Sequence, residues 1–187
     1  MVVSSDLGDP ASACHPIHPP WKAEVGRRMA LAAANIIYSH TEYPTAGPRP
    51  VAVHVDAWQS SWGDYHLGYG SGVCASGSGF FCMGVRIDFD QPLFVQPSYG
   101  RDYGFPSGFE LYSTKPGQFM SATLTEIVGP ATVQLNATWV FGDSSSLPLT
   151  LRYAWHDYPV MFLANSLGQP VAPFNISLHR LDTREAV

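Results

Sequence analysis

The chain is poor in charge. Of its 187 residues only 13% are Asp, Glu, Lys or Arg, and their balance is acidic, at −5. No basic run occurs, which argues against nucleic acid and anionic membrane surfaces as partners. Long apolar runs are missing too: nothing approaches the roughly 18 residues a membrane-spanning helix needs. The first ten residues, MVVSSDLGDP, lack the basic region and apolar core of a signal peptide. Cysteine is scarce, with Cys14, Cys74 and Cys82 only, and no Cys/His spacing matches a zinc pattern. There is no internal repeat.

What remains is a chain able to fold. Hydrophobic residues make up 45%, enough for a sizeable core, and the length suits one ordinary domain or a small domain plus a piece of another. Two features point towards a secretory origin. Asn136-Ala-Thr138 and Asn175-Ile-Ser177 are N-glycosylation sequons, and Cys74 and Cys82 lie in a Gly/Ser-rich loop, close enough to bridge. Three cysteines leave one unpaired.

The pattern along the chain changes once. From Trp21 to Tyr38 it is helical, with Trp21, Val25, Met29, Ala32 and Ile36 on one stripe. Lys22, Glu24, Arg27 and Arg28 fall largely off that stripe. Pro19 and Pro20 suit the start, and the prolines and glycine of YPTAGPRP (43–50) forbid continuation, so this run reads as a linker. Beyond it, residues 51–55, 83–89, 109–113, 119–128, 131–141 and 147–155 are short β-rich runs separated by Gly, Pro, Asp or Ser. With little helical pattern between them, they predict an antiparallel, sandwich-like β domain. Residues 56–82 and 90–108 read as long loops.

The front, DLGDPASACHPIHPP (6–20), crowds two aspartates and two histidines into a Pro-rich loop. A hydrolytic triad needs an imidazole that takes a proton and returns it, and a carboxylate that fixes the imidazole tautomer. His18 stands just before a helix start, where the macrodipole disfavours the imidazolium, while a nearby aspartate favours it. Asp6 and Asp9 both offer that carboxylate. The same residues also fit a plain loop, with Asp9 opening a turn. Asp6, Asp9, Cys14, His15 and His18 are conceivable metal ligands, but their spacing follows no established pattern.

Three separated pieces carry a resemblance. DLGDP…IHPPWKAEVGRRMALAA resembles the closing block of the sialate O-acetylesterase family. FELYSTKPGQFMSATLTEIVGPATVQL is similar to a later β segment of that family, and LRYAWHDYPVMFLANSLGQPVAPF to its C-terminal signature. Together they span residues 6 to about 174, with a poor match across 39–108.

The resemblance implies an esterase that removes O-acetyl groups from sialic acid by a Ser-His-Asp arrangement on an SGNH-type α/β domain, without metal or cofactor. The Ile17-His18-Pro19 match implies His18 as general base, and the Asp-Leu-x-Asp match implies Asp6 or Asp9 as its carboxylate. SGNH hydrolases commonly place the aspartate three residues before the histidine; here that position is His15.

No stretch matches the family's nucleophilic serine or its oxyanion-hole block. The expectation is therefore a C-terminal fragment. Residues 1–42 would close an esterase domain, 43–50 would link, and 51–187 would form the β-rich domain. Such a chain alone should be inactive, its missing N-terminal portion being a partner, and its full-length parent secreted or lysosomal.

Gly142-Asp143-Ser144 imitates an esterase serine block, but it lies between two β-like runs and follows His18, so turn chemistry explains it. His156, in HDYP, reads as a strand end closed by proline. A different class of function, a carbohydrate-binding β module, is suggested by Trp58, Trp62, Tyr65 and Tyr69, whose rings could stack on sugars.

Overall fold

A computed structural model of the chain describes residues 2–9, 20–59, 81–96, 108–113, 119–139, 148–155, 159 and 161–178. Among them the fold is mainly antiparallel β, with one helix. A 3-10 turn, Ser5–Leu7, precedes helix α1, Lys22–Tyr38. The strands are β1 Pro50–Gln59, β2 Phe81–Phe89, β3 Phe94–Val95, β4 Phe109–Ser113, β5 Phe119–Gly129, β6 Thr132–Trp139, β7 Pro148–Tyr153, β8 Leu163–Ala164 and β9 Phe174–Ser177. All six expected strands are present. The short β3 lies within a stretch expected to be a loop, and β8 and β9 were not anticipated.

Seven strands join in the order β1-β2-β6-β5-β4-β7-β9, every pair antiparallel, and β3 pairs with β8. β5 is the joint. Its first residues, Phe119–Ala122, pair with β4, and Thr123–Gly129 pair with β6 across a turn at Pro130 and Ala131.

Alternation along the strands decides what is buried. Val85, Ile87 and Phe89 of β2, Val133 and Leu135 of β6, Phe109 and Leu111 of β4, and Leu151 and Tyr153 of β7 enter one core. Leu163 of β8 and Val171 join them. The centre is aromatic. Tyr153 stacks on Phe174 at 5.5 Å between ring centroids, and Phe109 tilts against Tyr153 at 4.6 Å. The Tyr153 hydroxyl accepts from the Leu163 backbone N–H at 3.4 Å, and burial pushes its pKa well up.

The run 43–50, read from its prolines as a linker, is seated against the β unit. Gln169 Nε2 donates to the Pro44 carbonyl at 2.8 Å, Gln91 Nε2 to that of Ala46 at 3.2 Å, and the Arg49 backbone N–H to Asp90 Oδ1 at 2.8 Å. Buried Asn165 organises this clasp. Its Nδ2 donates to Gln91 Oε1 and Gln169 Oε1, and its Oδ1 accepts from the backbone N–H groups of Leu167 and Gln169. Gly47 fits where no side chain would. A Cβ there would sit on the Pro170 carbonyl oxygen and 2.6 Å from that of Gln169.

Candidate functional site

The Asp/His loop enters its described part through Asp6, held in the Ser5–Leu7 turn by the hydrogen bond from Leu7 N–H to the Ser4 carbonyl, 3.0 Å. Leu7 is fully buried, and Val3 packs on the β core, so this segment is anchored on both sides of Asp6. Asp6 meets Arg28 of α1 in a two-pronged pair. Nη1 donates to Oδ1 and Nη2 to Oδ2, each at 2.7 Å, with the side chains only 1% and 2% exposed. Arg28 Nη1 also reaches the Val3 carbonyl at 3.0 Å. A planar guanidinium suits this geometry because its parallel N–H groups match both oxygens of a carboxylate.

The pair extends through Glu24. Its Oε1 accepts from Arg28 Nε at 2.8 Å, and both its oxygens accept from Arg27, at 2.7 and 2.6 Å. Arg27 Nη2 donates onward to the Leu167 carbonyl at 2.7 Å, tying the helix to the Asn165 clasp. Burial opposes the charge on Arg28, but the Asp6 and Glu24 carboxylates outweigh it and raise its pKa. Hydrogen bonding from Arg27, offset in part by burial and reinforced by Arg28, lowers the pKa of Glu24.

The helix turns inward a face rotated from its apolar stripe, of which only buried Ala32 and half-buried Val25 are kept. Glu24, Arg28, Leu31, Ala32 and Asn35 are half-buried or buried, while Met29 and Ile36 are 58% and 67% exposed. The reason is the Asp6–Arg28 pair: a buried ion pair must keep both partners together, whereas an exposed Met or Ile forfeits only its own transfer energy. At the far end Ser39 adopts a left-handed backbone with φ 60°, and the N–H groups of Ser39 and His40 close on the Asn35 and Ala34 carbonyls.

Of the residues singled out from sequence, Asp6 and Asp9 are placed, Asp6 with both oxygens on Arg28 and Asp9 half-buried. His18, Cys14, His15, Cys74, Trp62, Tyr65, Tyr69, Ser144 and His156 lie outside the described residues. The backbone of Cys82 belongs to β2, opposite Trp58 of β1 and Thr138 of β6, rather than to a Gly/Ser loop. Asn136 lies on β6, flanked by β2 and β5, and Asn175 is exposed on β9, an end strand of the sheet.

Two groups escaped the sequence reading. On the outer face of β1, β2 and β6, Asp88 accepts from Thr132 Oγ1 at 2.8 Å and lies 3.1 Å from His54 Nε2. On the outer face of β4 and β7, Arg152 lies over aromatic rings. Alternation in VAVHV and MGVRIDF already sets His54 and Asp88 on the polar side; register, which sequence does not supply, makes them neighbours.

Among the described residues no three His, Cys, Asp or Glu side chains gather as a metal site, and no helix is long and apolar enough to cross a membrane. No protein-family model matches this chain, and neither does any curated protein.

Proposed function

We propose that this chain supplies the base and its carboxylate to a carbohydrate acetylesterase of the sialate O-acetylesterase kind, the nucleophilic serine coming from a segment outside these 187 residues. The observation that supports it is the Asp6–Arg28 pair. Asp6 and Arg28 belong to the two halves of the block that carries the resemblance, and the pair anchors the start of the Asp/His loop on the helix that follows it.

Asp6 is held by Arg28 at the start of the loop, and in this reading Asp6 or Asp9 orients His18. His18 takes the proton of the incoming serine and returns it to the departing sugar hydroxyl, while the aspartate fixes its tautomer. Water then releases acetate from the acyl-enzyme. In the same reading, residues 2–9 and α1 close an SGNH-type α/β domain, and the two halves of the large sheet, joined by β5, form a sandwich about the common core.

The test is acetate release from 9-O-acetyl-N-acetylneuraminic acid. The chain alone should release none above the uncatalysed rate. Co-expressed with the serine-bearing N-terminal portion of a sialate O-acetylesterase, it should release acetate, and His18→Ala should abolish that activity. Release by the chain alone, or activity indifferent to His18→Ala, overturns the reading.

A further inference from the structure

The outer face of β4 and β7 carries an arrangement that the esterase reading does not use. In the β4–β7 ladder Glu110 stands opposite Arg152, and Tyr112 opposite Thr150. Leu111, Leu151 and Tyr153 fill the core, so Arg152 projects to the other side. There its guanidinium carbon lies 4.0 Å from the centroid of the Tyr112 ring and 5.2 Å from that of Trp155.

Trp155 reaches Arg152 only because the chain reverses. Simple alternation would send residues 153 and 155 to the same side. Instead Ala154 takes a left-handed backbone, φ 55°, its N–H bonded at 2.9 Å to the carbonyl of Gly108, which is itself left-handed at φ 64°. That conformation is unfavourable for a residue with a Cβ and persists where the surroundings impose it. The result is a cation held against two aromatic rings, one of them 49% exposed.

The cation itself is underused. Arg152 Nε is buried without a hydrogen-bond partner, and among the described residues Arg152 enters no ion pair. Glu110 is buried on the neighbouring strand, so a ligand meets the guanidinium from the side of Trp155. On β9, Asn175 pairs with Arg152 and Ser177 with Thr150, and both β9 residues are exposed, offering hydrogen bonds beside the rings.

We propose that Arg152, Tyr112 and Trp155 form a binding site for a carboxylate-bearing sugar, the carboxylate on the guanidinium and a C–H face of the pyranose on Trp155. One guanidinium flanked by aromatic faces matches a planar monoanion attached to a ring. A phosphate dianion would call for further cations or a cluster of backbone N–H groups, and the chain is acidic as a whole. Exposed Asn175 and Ser177 suit sugar hydroxyls. The site needs neither His18 nor a serine, so it stands or falls independently of the esterase reading.

Calorimetric titration of the full chain tests it, with methyl glucuronide, the methyl ester of that sugar, methyl glucoside and glucose 6-phosphate as probes. The glucuronide should bind, and the ester and glucoside should bind about tenfold more weakly or worse, since each lacks the charge that Arg152 reads. Arg152→Gln and Trp155→Ala should each weaken glucuronide binding by about tenfold. Trp155 is half exposed, and thermal melting is the check that each variant is folded. Equal binding of the acid and its ester, tighter binding of the phosphate, no binding of the glucuronide, or a folded Trp155→Ala variant with unchanged affinity overturns the proposal. The esters and glucosides are compared on the unmodified chain, so misfolding of Arg152→Gln leaves the test intact.

Discussion

Arg28 is a fully buried arginine that binds the Asp6 carboxylate, which lies before the start of its own helix. Removing one partner of such a pair strands the other charge in the interior. Arg28→Met should therefore destabilise the fold by about 3–5 kcal/mol in urea denaturation, and adding Asp6→Leu should recover most of the loss. A double variant no more stable than the single one would contradict that account.

Only part of this was legible beforehand. Sequence offered Asp6 and Asp9 as equals, because spacing does not say which carboxylate a remote guanidinium captures. Arg28 falls off the apolar stripe, and stripe membership says nothing of a carboxylate that can draw an arginine inward. Arg152 stands in the LRYAW piece that carries the resemblance, but its place against the rings was hidden: Tyr112 comes from another strand and Trp155 from beyond a left-handed alanine.

At the scale of elements, hydrophobic alternation carried the strands well. Each of the six expected runs forms a strand, because period-two burial is local information. β3, β8 and β9 were missed for a physical reason. The first two are two residues long, and FNIS of β9 is four residues whose pairing with β7 comes from register rather than pattern.

The helix was located correctly, but of its apolar stripe only Val25 and Ala32 face inward, while Trp21, Met29 and Ile36 are exposed. Apolar spacing measures which side could be buried; the Asp6–Arg28 pair decides which side is. Exchanging Met29 and Ile36 together for Gln should change unfolding free energy by no more than about 0.5 kcal/mol. Ala32→Asp, on the buried side, should cost about 1–3 kcal/mol. Were Met29 and Ile36 on the packed side, the first exchange would cost at least as much as the second.

For the whole molecule, the Asn165 clasp and the docked run 43–50 make the helix and the β unit mutually dependent. Proline and glycine mark the run as a linker, and the same residues also suit close backbone packing, for which Gly47 leaves room. Gly47→Ala should cost about 1–3 kcal/mol by forcing the run away from Pro170. Hydrogen exchange should then accelerate in α1 more than in β2 and β6. Uniform acceleration would mean the run is not the connection that holds the helix in place.

The shared strand β5 sets an order in time. Its hairpin with β6 closes across two turn residues and needs only neighbouring contacts, so it can form within microseconds. The outer ladders wait on far longer loops, which must bring residue 85 to 135 and residue 111 to 151. Loop closure of that kind is slow. Because β5 pairs only with its sequence neighbours β4 and β6, the three can assemble first, and the rate of folding is governed by when β2 finds β6 and β7 finds β4.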